Sequence, residues 1–257
     1  MSEEETVVKK LEFKNYLNAY EFETTLPGSK EVIKFKPITT GQLKRLLVYE
    51  NETNPMMVEK ALDELITSCI VSKDFSINKL YLQDRFFLLV EIRRKSKGDT
   101  YQFQYKCPDC ESQSIQNINL AELTVTGIPD DIESVVKIDD NLSVRLTHIT
   151  RGGQNTAFKN IKNSKKLSNT QRITEMALFT HAVAITGIIV PEGEIKDASI
   201  EDRKYLLENI PADSYTNIRD WFNGHDFGMD FTYTIECSND TCEHEEKVDI
   251  PVENFFF

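Results

Sequence analysis

The chain has 257 residues, of which 28% are charged and 40% hydrophobic, and its formal net charge is −12. That length can bury a substantial core, and those fractions belong to an ordinary folded protein rather than a disordered or fibrous one. No apolar run approaches the roughly 20 residues that span a bilayer, and the acidic balance argues against nucleic acid, whose binding depends on clustered Lys and Arg.

Residues 1–99 read as a hairpin followed by helices. Tyr20 to Leu26 and Val32 to Pro37 predict strands joined at Pro27-Gly28-Ser29-Lys30, where Pro sets φ and Gly takes φ > 0. Thr39 or Thr40 caps a helix carrying Leu43, Leu46 and Leu47. Val58, Leu62, Leu65, Ile66, Cys69 and Ile70 then recur at steps of three and four, the spacing of an amphipathic helix, which makes Cys69 a small core residue. A third helix follows Asn78, and the density of apolar residues from Leu80 to Val90 predicts that most of it is buried. Arg93, Arg94, Lys95 and Lys97 face the negative end of its dipole, and Gly98 takes the left-handed position beyond it. The basic cluster reads as helix-end complementarity, with a docking site as the alternative.

Two cysteine pairs follow strands written on one plan. Tyr101, Phe103, Tyr105 and Cys107 alternate with polar residues before Cys110, as Phe231, Tyr233, Ile235 and Cys237 do before Cys242. Alternation resumes through Ile118 and Leu120, and through Val248, Ile250 and Val252, so each pair is predicted to sit at the tip of a β-hairpin. Zn²⁺ takes a tetrahedron of thiolate or imidazole ligands, and two facing tips supply it. Cys107, Cys110, Cys237 and Cys242 are therefore predicted to hold one structural zinc ion, its shell closed to catalytic water. Three alternatives stand beside this reading. A redox CxxC needs a helix after the first cysteine, and Glu111 to Asn117 has no helical apolar face. Disulfides suit an oxidising compartment, and no signal peptide opens the chain. His244 is a candidate replacement for Cys242, or a solvated histidine.

The 126 residues between Cys110 and Cys237 predict a folded body inserted into the ribbon. Ile132 to Ile138 and Leu142 to Ile149 suggest a hairpin turning at Asp139-Asp140-Asn141. Arg151-Gly152-Gly153 through Lys166 is polar and glycine-paired, and reads as a mobile loop. Ser168 opens a helix through Ile173, Met176, Ala177 and Val183; Ser199 to Asp202 resembles a capping box before Leu206 and Leu207; a last helix runs from Asp213 to Asn223. Trp221 and Phe222 read as core anchors. The predicted class is α+β: an N-terminal β-hairpin plus helical bundle, and a zinc-ribbon-like pair of cysteine hairpins with a large mixed α/β insertion. The units are 1–99, the split pair 100–120 with 229–257, and the insertion 121–228.

Catalytic motifs do not appear: there is no phosphate loop, HExxH or GxSxG. His148, His181, His225 and His244 are scattered, and an enzyme would need one of the first three brought to a carboxylate or hydroxyl. A zinc-ribbon nucleic-acid-associated module would need a basic face, whereas these tips carry Asp109, Glu111, Asp240, Glu243, Glu245 and Glu246.

The run Thr24 to Lys30 and Ile33 to Thr39, then Leu43-Lys44-Arg45-Leu46-Leu47, resembles the opening of the baseplate hub assembly proteins of T-even-type contractile-tailed bacteriophages. Members begin with a hairpin of the type LP-x-G-x-x-VKFRPF and a lysine- and leucine-rich helix. The likeness continues through Ser68-Cys69-Ile70, Arg93 to Gly98, and Lys106-Cys107-Pro108-Asp109-Cys110. It departs at Ile38, where an aromatic residue is usual, and at Gly41-Gln42, where acidic residues are usual. The resemblance implies a non-enzymatic assembly protein that contacts other hub and tail proteins in the host cytoplasm, with retention in the virion tail baseplate and oligomer formation left open. Phe255, Phe256 and Phe257 are the candidate partner anchor, since aromatic residues are the usual energetic centres of interfaces. The alternative is that they fold back into the chain's own core.

Overall fold

The computed structural model describes residues 20–49, 52, 54–162, 168–251 and 255–256, so expectations for Lys166, Val252 and Phe257 lie outside the described residues. Phe22–Thr25 (β1) and Val32–Phe35 (β2) pair antiparallel, with Phe22 opposite Phe35. Their turn corrects one expectation: Lys30, not Gly28, takes the positive φ, at 60°. Glycine at 28 meets a need for space, because a Cβ there would lie 2.4 Å from the Phe227 ring and 2.9 Å from Asp84 Oδ1. The fully buried Asp84 accepts hydrogen bonds from the backbone N–H of Gly28 at 2.6 Å and of Ser29 at 2.9 Å. Those bonds replace the water that a buried carboxylate loses.

Helix α1 (Thr40–Leu46) opens with a capping box between Thr39 and Gln42. The Gln42 amide also donates to Ser68 O at 3.0 Å and Ser68 Oγ at 2.7 Å, near the end of α2 (Pro55–Cys69). A carboxylate at position 42 could not make the bond to a carbonyl. Helix α3 (Leu82–Lys97) begins two residues later than the apolar run, because Leu80 closes a short 3-10 turn, Ile77–Lys79. Phe87 to Arg93 are all buried, and Gly98 ends the helix with φ at 91°.

Strands β3 (Thr100–Lys106) and β4 (Gln113–Asn119) form the first cysteine hairpin, Lys106 opposite Gln113. Val125–Thr126 (β5) pairs with a late strand, Gly228–Met229, and so ties the two ends of the insertion together. Inside it, Val135–Lys137 (β6) and Ser143–Leu146 (β7) form the expected hairpin, with Asp139 Oδ1 accepting from Asn141 N–H at 2.7 Å.

Residues 151–162, expected as a loop, form helix α4 (Arg151–Lys162). Thr150 Oγ1 caps it by accepting from Gly153 N–H at 3.1 Å, and the buried Ala157 and Ile161 pack with Phe179. Tertiary packing therefore overrides the poor helix propensity of Gly152-Gly153. Gly152 also fits a close approach, since a Cβ there would meet Asn78 O at 2.8 Å. Helix α5 (Asn169–Ala184) starts at a capping box of Ser168 and Gln171, but Ile173 faces solvent rather than core. It runs directly into β8 (Ile185–Val190), which pairs with β7 and with β9 (Gly193–Ile195), giving a four-stranded antiparallel sheet in the order β6-β7-β8-β9. Helix α6 (Ile200–Asn209) has the Ser199–Asp202 capping box, and α7 (Ala212–Gly224) buries Ile218 and Trp221. The Trp221 indole donates to Glu133 O at 2.6 Å. After Gly228–Met229 (β10), strands β11 (Thr232–Glu236) and β12 (Glu245–Asp249) form the second cysteine hairpin.

The fold is thus mixed, with seven α-helices and small antiparallel sheets among the described residues. No helix among them is long and apolar enough to cross a membrane. One core joins the N-terminal residues Leu26, Ile33, Phe35 and Leu88 to Tyr101 and Ile118 of the first cysteine hairpin and Ile250 beside the second. A separate core around Val144, Leu146, Ile185 and Trp221 belongs to the insertion.

Candidate metal centre

Each hairpin tip folds back on its own backbone. In the first, Cys107 N–H donates to Ser112 O at 2.9 Å and Glu111 N–H to Cys107 O at 3.0 Å, with Glu111 in the left-handed region at φ 59°. That bend returns Cys110 to the side of Cys107. In the second, Cys237 N–H donates to His244 O at 2.9 Å and Cys242 N–H to Asn239 O at 2.8 Å, while Asn239 Oδ1 holds Thr241 through its N–H and hydroxyl.

The two tips meet. The sulfurs of Cys107, Cys110, Cys237 and Cys242 all lie within 4.8 Å of one another, with Cys107 to Cys242 at 3.9 Å and Cys110 to Cys237 at 3.5 Å. A tetrahedral ion with bonds of about 2.3 Å sets its sulfurs about 3.8 Å apart, so the four positions fit one metal ion. All five cysteines are free. The chain after Cys110 becomes strand β4, so the helix that a redox CxxC needs is missing there. Cys69 is buried elsewhere, in the core, and desolvation pushes its thiol up to about 11.

The protonation chemistry also favours a cation. Hydrogen bonds from the Ser112 side chain, then its backbone N–H, hold Cys110 down at about 6. The backbone N–H of His244 lowers Cys242, but desolvation and the neighbouring thiols outweigh it and push Cys242 up to about 12. Crowded thiols give up one proton readily and later ones with difficulty, because each new thiolate repels the next. A bound divalent cation removes that repulsion.

His244 stands beside the cluster rather than in it. Its Nδ1 lies 2.9 Å from Asp109 Oδ2, joining the two tips, and its Nε2 is 3.5 Å from Glu246 Oε1 without a hydrogen bond. Desolvation lowers its pKa, but the hydrogen bond and charge of Asp109, with Glu246, outweigh that and raise it. A second bond between the hairpins runs from Tyr105 Oη to Glu246 Oε1 at 2.5 Å. Neither contact had a signal in the sequence, because each pairs ordinary surface residues more than 100 positions apart.

A family model described as T4 bacteriophage base plate protein matches residues 18–257. The chain belongs to that family. No curated protein and no solved structure matches it. The match takes in the insertion and the second cysteine hairpin as well as the segment up to the first hairpin that carries the resemblance.

Phe255 and Phe256 do not form an exposed anchor in this base plate protein. Both are buried in its own core, where the Phe255 ring stands edge-on to Tyr101 at 4.6 Å and Phe256 O accepts from Lys97 Nζ at 2.7 Å. The burial of apolar rings drives this inward turn. The basic cluster is likewise spent on internal contacts. Arg93 donates to the carbonyls of Gly98 and Thr100, Arg94 pairs with Glu91 and Asp99, and Lys95 lies over the Phe22 ring.

Of the scattered histidines, His181 reaches a hydroxyl, with Nδ1 2.8 Å from Tyr215 Oη. Desolvation lowers His181 and raises Tyr215, so both stay neutral, and His181 also stacks on Phe222. The pair joins helices α5 and α7 as a neutral hydrogen bond. His225 Nδ1 lies 2.6 Å from the Trp221 carbonyl, and His148 Nε2 has no hydrogen-bond partner among the described residues.

Proposed function

We propose that this protein is a non-enzymatic assembly or structural component of the phage baseplate hub, acting through contacts with other hub and tail proteins. In this reading its scaffold is held by one structural zinc ion on Cys107, Cys110, Cys237 and Cys242. The observation that carries it is the four-sulfur cluster, which closes two hairpins 126 residues apart in a chain of the base plate protein family. Four thiolates complete a tetrahedral shell and leave no position for a reacting water, which suits a structural ion. The described parts of the N-terminal unit and of the split hairpin pair share a core, so the metal and that core brace one body, against which α4 of the insertion is held through Arg151. The acidic tips, with Asp109 and Glu111 largely exposed, suit a protein partner better than a phosphate backbone. The place of action is the host cell during assembly and the tail baseplate of the virion.

The test is elemental analysis of protein purified under reducing conditions, together with complementation of a phage lacking the gene. Wild type is expected to hold about one equivalent of zinc and to be colourless, which separates zinc from an iron site of the same geometry. Cys110→Ser is expected to lose most of the metal and to leave baseplate intermediates unassembled. Metal-free wild-type protein would remove the zinc reading, and full complementation by a metal-free variant would remove its role in assembly.

A further inference from the structure

We infer that Ser112 is a positioning residue of the metal centre, its hydroxyl donating the hydrogen bond by which two cysteine sulfurs from different hairpins are held ready for the cation. The inference rests on the metal reading above. Ser112 Oγ lies 3.1 Å from Cys110 Sγ and 3.2 Å from Cys237 Sγ, which are themselves 3.5 Å apart. Its carbonyl accepts from Cys107 N–H at 2.9 Å. One side chain and its own backbone therefore touch three of the four sulfur-bearing residues, and the hydroxyl spans the gap between the tips.

The chemistry gives this contact a direction. Four thiolates around one divalent cation leave the centre a dianion, and donors aimed at sulfur stabilise that excess charge. A metal-bound thiolate has no proton to give, so the serine hydroxyl must be the donor. The other donors are backbone N–H groups, of Ser112 on Cys110, of His244 on Cys242 and of Asn239 on Cys237 Sγ at 3.5 Å, so the hydroxyl is the side-chain donor among them. The hydroxyl has one proton and two sulfurs at nearly equal distance, so it links the hairpins through a bond to Cys237 or one shared between both sulfurs. Its place is set by the backbone: the left-handed bend at Glu111 turns the chain, and Gln113 is already paired with Lys106 in the β3–β4 ladder. Loss of a group that orients and charges metal ligands typically costs ten- to a hundredfold in metal affinity.

The experiment compares full-length wild type, Ser112→Ala and Ser112→Thr, each loaded with zinc and titrated against a chromophoric chelator. Cobalt-substituted samples are followed by their sulfur-to-metal charge-transfer band. Ser112→Ala is expected to keep one equivalent of metal at saturation, to bind it ten- to a hundredfold more weakly, and to shift the cobalt band to longer wavelength. The shift follows because a sulfur without its hydrogen bond gives up charge more easily. Ser112→Thr, which keeps the hydroxyl, is expected to restore both readouts. Affinity within twofold of wild type and an unmoved band in Ser112→Ala would overturn the role of Ser112 while leaving the metal centre standing. Ser112→Thr that is folded at saturating zinc yet binds as weakly as Ser112→Ala would overturn that role equally. Wild type that takes up no metal would overturn the centre itself, and this inference with it.

Discussion

The His148 imidazole is enclosed by rings from three parts of the chain: Tyr81 at 5.8 Å, Phe227 at 4.7 Å and Trp221 at 5.2 Å. Desolvation lowers its pKa first, the neighbouring His225 adds to that, and Asp226 and Asp84 oppose it without prevailing. The folded state therefore takes up the proton less readily than the unfolded chain, and stability falls as pH drops below the ordinary histidine value of about 6.5. His148→Phe removes the group while keeping an apolar ring, so its melting temperature relative to wild type should rise progressively from pH 7.5 to pH 5. A difference that stays constant across that range would show that His148 does not titrate in this way. His181, lowered by the same cause, keeps its own part of the slope in both proteins. Gly28 makes a related point, since its identity follows from Phe227 lying against it and not from the dihedral angle of its turn.

Helices α2, α3 and α4 meet over a knot of charge. The Asp63 carboxylate takes Arg85 Nε at 2.6 Å and Arg151 Nε at 2.7 Å, one on each oxygen, and both guanidinium groups also reach Glu59. The arginines are almost wholly buried, whereas the Glu59 side chain is about one-third exposed. Breaking a buried pair from one side leaves an uncompensated charge and costs about 3–5 kcal/mol. Asp63→Ala should therefore destabilise by about that much in denaturant titration, and Glu59→Ala by much less. Equal losses would mean that the charge is shared evenly. The same contact explains why residues 151–162 are helical, because Arg151 is drawn into the joint and Ala157 and Ile161 find a surface to cover. A window that reads as polar and glycine-rich carries no trace of that surface, since Asp63 lies 88 positions away.

Across the whole molecule, the end of the chain closes the first core. Phe255 and Phe256 lie among residues of the N-terminal hairpin, α3 and the first cysteine hairpin, so they act on folding rather than as an exposed contact. Phe255→Ala should cost about 3–5 kcal/mol in thermal or denaturant unfolding, as large-to-small core changes do. An unchanged melting temperature would return these residues to the surface. The sequence by itself determined what is local. Period-two alternation marked both cysteine hairpins, three-and-four spacing marked α2, the density of apolar residues marked α3, and Ser168 and Ser199 announced their helices. The four cysteines were legible as one site because hairpin tips place them predictably relative to their own strands. Only the tertiary structure decided what depends on distant partners: that the sulfurs converge within 4.8 Å, that Ser112 lies between two of them, that α4 is a helix, that Ile173 faces water and that Phe255 faces the core. The reason is physical. Backbone hydrogen bonding and side-chain periodicity act over a few residues and leave their pattern in the chain, while burial and charge pairing act between segments that meet only once it has folded.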